Sequence, residues 1–223
     1  MLSVELWKPY GLIIIMWREI MKIHFKGIYK GKDGELDYLE KYCETEHKPG
    51  AEKLPETEKH YYLKGNIFSG IIFALFSFLF CLRYPIVTNL SEFYAFLLIL
   101  AIFSVLNIIL IPVHEILHTV FNKQDSFIYF YPKRFSMFVI NTEDKSKSER
   151  ILFMLFPSLV LGIIPFVVGL IFPSLKILSV FAIPGIAAGA GDYINIFYTL
   201  RHIPNGARTY THKDDGEFWY KPE

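Results

Sequence analysis

The sequence predicts an all-α membrane protein: about four transmembrane helices, with a small cytoplasmic β-hairpin between the second and the third. Three observations carry this. The chain has 223 residues, 52% of them hydrophobic and 17% aromatic, and its mean hydropathy is positive, which is too apolar for an ordinary soluble domain. The apolar residues gather into uncharged blocks near the roughly 20 residues that a bilayer core requires. Basic residues are dense in some connections and sparse in the others, as membrane topology demands.

Residues 1–64 are mixed and polar and read as a cytoplasmic or interfacial segment. The apolar stretch from Leu12 to Trp17 lacks a small-residue cleavage site and runs into Arg18, Glu19 and Lys22, which does not suit a signal peptide. Ile13, Trp17, Ile20 and Met21 suit a helix lying in the membrane interface, or else a partly buried amphipathic helix. Glycines 27, 31, 34 and 50 mark loops, and Leu36 to Glu44 a short helix.

The first apolar block runs from about Gly65 to Leu82. The second runs from about Phe93 to Val113 and continues without a break into His114-Glu115-Ile116-Leu117-His118. After it, Phe127 to Tyr131 and Phe135 to Ile140, on either side of Pro132-Lys133-Arg134, read as a hairpin. The third block runs from Ile151 to about Phe172 and the fourth from Ile177 to Leu200, joined by a tight turn around Pro173, Ser174 and Lys176. Asp192 is the one charge within that pair. Residues 65–200 thus form a four-span domain and 201–223 a cytoplasmic tail, with turn signals at Pro204-Asn205-Gly206 and Asp214-Asp215-Gly216.

Basic residues cluster before the first block, between the second and third, and after the fourth; the other two connections carry only Arg83 and Lys176. This bias places the chain in the cell membrane as a multi-pass protein with both termini cytoplasmic. A net charge of +1 makes no case for a nucleic-acid partner. Cys43 lies in the N-terminal segment and Cys81 inside the first block, so no disulfide framework is expected.

The motif at 114–118 carries the chemistry. On a helix, residues four apart share a face, so His114 and His118 can grip one metal ion with Glu115 beside them. That is the pattern of zinc hydrolases, in which three protein ligands and an open position for water are required. Asp192 is the candidate third ligand for Zn²⁺. It lies roughly 13 Å from the cytoplasmic end of the fourth block, a depth similar to that of His114 in the second. A carboxylate inside a bilayer also needs a partner. A structural carboxylate bonded to Tyr193 or Asn195 is the alternative, and His202, Glu143 and Asp144 are fallback ligands. The small-residue run Gly185 to Gly191 permits close approach to a neighbouring helix. Pro112, Pro157, Pro165 and Pro184 interrupt the blocks, either lining a wet cavity or simply kinking packed helices.

On the HEILH motif closing one span, Pro157 in the next and Gly191-Asp192 late in the last, the sequence resembles the zincin-peptidase family of bacterial multi-pass membrane proteins over about residues 60–210. That family is similar in plan to site-two-type intramembrane metalloproteases. The resemblance implies that a later-span Asp, here Asp192, completes the zinc site, and that the β segment around Tyr131 and Pro132 presents substrate as an added strand. This chain has Phe156-Pro157 where those proteases have Gly-Pro, and Gly191-Asp192 in the reverse of their Asp-Gly order, so the likeness to them is one of layout. The expectation is therefore a zinc-dependent membrane metalloprotease with Glu115 as catalytic base, acting on a membrane protein or membrane-associated peptide on the cytoplasmic side. Two alternatives remain open: a non-catalytic, metal-stabilised membrane protein that binds a partner, and a metal-dependent lipid hydrolase.

Overall fold

A computed structural model describes residues 23–28, 43–55, 61–85, 89–132, 136–141, 143–212 and 216–222. The expected interfacial helix around Trp17, and most of the short helix expected from Leu36, lie outside the described residues.

Strand β1 (Ile23–Ile28) and the two-residue β2 (Glu52–Lys53) precede the helices. Helix α1 (Tyr61–Arg83) follows. Tyr61, Gly65, Ser69, Ile72, Phe76 and Phe80 recur along one of its faces at helical spacing. The opposite side leaves Ile67, Ile71, Leu75, Phe78 and Leu82 exposed. Helix α2 (Leu90–Ile109) starts at Asn89, whose side chain accepts from the Ser91 amide. It likewise exposes an apolar face, with Leu98, Val105 and Ile109 outward.

The apolar run read as continuing unbroken into the motif is broken as a helix. It stops at Leu110, and α3 (Ile111–Thr119) begins afresh. The cause is Pro112, which has no N–H for the Ile108 carbonyl but suits the first turn of a new helix.

The expected hairpin is present as β3 (Ser126–Tyr131) and β4 (Ser136–Ile140), antiparallel, with Phe127 opposite Ile140 and Tyr131 opposite Ser136. Phe127 and Tyr129 are buried against Phe138 and Ile140. β1 adds to the outer edge of β3 in parallel, giving the order β1-β3-β4 and, among the described residues, leaving β4 as an edge.

After β5 (Lys145–Ser146), helix α4 (Lys147–Ser158) opens with a capping box between Ser146 and Glu149. It runs through a π-helical turn at Leu159–Ile163 into α5 (Ile164–Ile171). Pro165 accounts for that turn: with no N–H to offer Leu161 and a ring that crowds its carbonyl, the widened turn is the relief. The carbonyl released at Leu161 lies where a Cβ on Gly185 would be 2.9 Å away, so only glycine fits there.

Helix α6 (Lys176–Ala188) is the buried centre, packed on α1, α2 and α5, with Ala182, Ile183 and Ile186 almost wholly enclosed. The fourth block, expected as one span, is bent by 54° between α6 and α7 (Ala190–His202). Gly189 is the joint, and a Cβ there would come 2.1 Å from Ser158 Oγ. The chain closes with β6 (Arg208–His212) and β7 (Gly216–Tyr220), a hairpin whose sheet has the order β2-β7-β6-β5. Segments before α1, between α3 and α4, and after α7 therefore meet in one sheet at one end of the helices. No disulfide joins Cys43 and Cys81.

By length and composition, α1, α2 and the run Lys147–Ile171 could each cross a membrane, and the bent pair could be a further span.

Candidate metal centre

Helix α3 places His114 and His118 one turn apart, their rings edge to face with centroids 5.0 Å apart. His114, Glu115 and His118 each offer a ligand atom, all within 4.8 Å of one another, and Glu115 and His118 are buried. Facing them is the first turn of α7. Asp192 Oδ2 lies 3.1 Å from His114 Nε2, and its Oδ1 lies 3.5 Å from His118 Nε2. The carboxylate is thus shared between both rings, rather than spent on Tyr193 or Asn195. Its place at the N-terminal end of α7, where helix amides point outward, also favours a negative charge.

His118 is held from behind. Its Nδ1 lies 2.7 Å from the carbonyl oxygen of Phe153 on α4, and the Phe153 ring stacks on the imidazole at 4.9 Å. A carbonyl can only accept, so Nδ1 donates, which in the neutral ring leaves the Nε2 lone pair on the side of Asp192. This is the outer-sphere arrangement that orients a metal-binding histidine. Two imidazole nitrogens and a carboxylate, backed in this way, are a donor set that suits zinc.

The bend that aims Asp192 is flanked by two hydroxyls from α1. Ser69 Oγ donates to the Ala187 carbonyl at 2.8 Å on one side of Gly189, and Tyr61 donates to the Gly191 carbonyl at 3.1 Å on the other. Reading the sequence missed both, since neither belongs to a motif; their eight-residue spacing on one face was the signal available. A cavity of 660 Å³ opens beside the histidines, lined by Tyr61, Asn107, His114, Glu115 and Asp192, and by Ser136 to Phe138 of the edge strand β4.

The fallback ligands are engaged elsewhere. His202 Nδ1 bonds the Tyr198 carbonyl, Glu143 pairs with Lys145, and Asp144 receives Arg208 and Tyr220.

Fold and site together define a mostly helical protein with a His-Glu-His group able to hold a metal ion. Residues 107–208, which span α3, the hairpin and Asp192, match the model of the family described as "Putative zincin peptidase", and over that segment the resemblance implied by the motif holds. No curated protein and no solved structure matches the chain.

Proposed function

We propose that this protein is a zinc-dependent membrane metalloprotease that hydrolyses a peptide bond within or beside the bilayer on its cytoplasmic side. The observation that carries the reading is the carboxylate of Asp192 facing both imidazoles of α3. Ligand atoms about 2.0–2.1 Å from a tetrahedral zinc stand roughly 3.3 Å apart, and each imidazole faces its own oxygen of the Asp192 carboxylate at a separation close to that. His114, His118 and Asp192 would hold the ion. What zinc supplies when bound is a water whose pKa is lowered towards about 7, together with polarisation of a carbonyl.

Glu115 is also within ligand reach, but it is adjacent to His114 in the chain and about 100° around the helix from it. That sets its carboxylate at the flank of the site, where a base belongs. It takes the proton of the attacking water and passes it to the leaving amine. The edge of β4 borders the same cavity, so an extended peptide pairing with Ser136 to Phe138 would lie beside Glu115.

Membrane residence is supported by the exposed apolar faces of α1 and α2 and by their length and hydropathy. The shared sheet of β2, β5, β6 and β7 is what an even number of crossings produces.

The test uses purified protein with casein and a synthetic single-span peptide in lipid vesicles as probes. Glu115→Gln should keep its zinc and lose about 10²–10⁴-fold in cleavage rate. Undiminished cleavage would remove Glu115 as the base. Zinc retained by a wild-type protein that cuts neither probe would favour the non-catalytic reading.

A further inference from the structure

We propose that Pro157 is a positioning residue for the metal centre, acting through the backbone carbonyl of Phe153. The inference rests on His118 being a metal ligand, as proposed above.

Pro157 lies inside α4 and is fully buried. In a regular helix the N–H of residue 157 bonds the carbonyl four residues earlier, which is that of Phe153. Proline has no N–H, and its ring pushes the same carbonyl off the helix axis. The oxygen released at Phe153 is the one that receives His118 Nδ1 at 2.7 Å. The two facts belong together, because an acceptor tied into the helix ladder points along the axis and not sideways at a neighbouring helix.

The consequence falls on His118. Its side chain is 5% exposed, so water has little access to replace the acceptor. With Nδ1 held by Phe153 and the ring stacked on the Phe153 side chain, both the tautomer and the tilt of the imidazole follow from one residue of α4. Proline is the poorest residue for a helix interior. At this position it converts a structural carbonyl into an outer-sphere partner of a ligand.

The inference is separable from a packing role, because any other residue restores the N–H. Pro157→Ala and Pro157→Leu differ in side-chain volume but share that donor. Cobalt(II) serves as the probe, with affinity measured by chelator competition. Both variants should bind it about tenfold more weakly than wild type, the lower end of what losing an outer-sphere partner does. The metal-free Pro157→Ala protein should melt at or above the wild-type temperature. In the cobalt-loaded protein, the exchangeable Nδ1 proton of His118 should shift and exchange faster with solvent, while signals of His114 stay in place.

Wild-type affinity in both variants with an unmoved His118 proton would overturn the proposal and leave the metalloprotease reading standing. Weakening by only one of them would show a volume effect and overturn it as well. A wild-type protein that binds no cobalt through His114 and His118 would sink both readings.

Discussion

Asp192→Asn is the most direct perturbation of the centre, because the amide keeps the shape of the carboxylate and removes its charge. Asp192 places one oxygen 3.1 Å from His114 and the other 3.5 Å from His118, so a single change withdraws the anion from both rings. Zinc that binds only the folded protein stabilises it by about 2.7 kcal/mol at a hundred times its dissociation constant. Loss of an outer-sphere partner weakens metal binding about 10- to 100-fold, and loss of a ligand should reach at least the upper end. A hundredfold weaker site at the same zinc concentration retains only about 0.4 kcal/mol, a deficit of about 2.3 kcal/mol. For a chain of this size that is a Tm difference of roughly 5–9 °C. The assay is thermal unfolding in detergent, followed by tryptophan fluorescence with and without zinc. Wild type and Glu115→Gln should show the full zinc-dependent rise and Asp192→Asn almost none. A full rise in Asp192→Asn would refute its place as third ligand.

Gly189→Ala should destabilise by about 1–3 kcal/mol and weaken zinc binding, because the new methyl meets Ser158 Oγ at 2.1 Å and forces the α6–α7 bend to change; melting and chelator competition read the two effects. Tyr61→Phe removes the donor to the Gly191 carbonyl and should cost about 0.5–1.5 kcal/mol, read as a modest loss of zinc affinity that disappears when Asp192 is already replaced. Burial pulls Lys145 below its ordinary value against the opposing pull of Glu143. The unfolded chain then binds more protons between the folded value and 10.5, so stability should rise as pH climbs through that window, and Lys145→Met should flatten the rise. Lys145→Met removes the cation paired with Glu143, leaving its carboxylate, among the described residues, only the Lys123 amide, and should cost about 3 kcal/mol near neutral pH, whereas Lys145→Met with Glu143→Gln should recover most of it in a melting series.

What the sequence made legible was whatever rests on spacing or on a lone charge. The i,i+4 histidines, the hairpin from Phe127 to Ile140 and the need of Asp192 for a partner all follow from local periodicity or from the cost of an isolated carboxylate. Pairings across long separations were hidden. β1 joins β3 about a hundred residues later, and nothing in Ile23–Ile28 names its neighbour. The break at Leu110 and the bend at Gly189 were half visible, since Pro112 and the glycines announce irregularity but not the direction the chain takes after it. The Phe153 carbonyl was hidden for a different reason: a backbone oxygen carries no residue identity, and only a proline four places later hints that it has been released.

These irregularities converge on one place, and the convergence has a physical logic. A helix running straight through Gly189 would put Asp192 in mid-helix, its carboxylate facing only what side chains supply. Breaking the helix there puts Asp192 in the first turn of α7, where unbonded amides favour a negative charge. The same break turns it towards His114 and His118, so one bend both aims the carboxylate and supports its charge. The break at Leu110 does the corresponding work for the histidines by starting α3 as a separate short helix that need not follow the direction of α2. Helical regularity builds the exposed faces of α1 and α2, and its interruptions build the site.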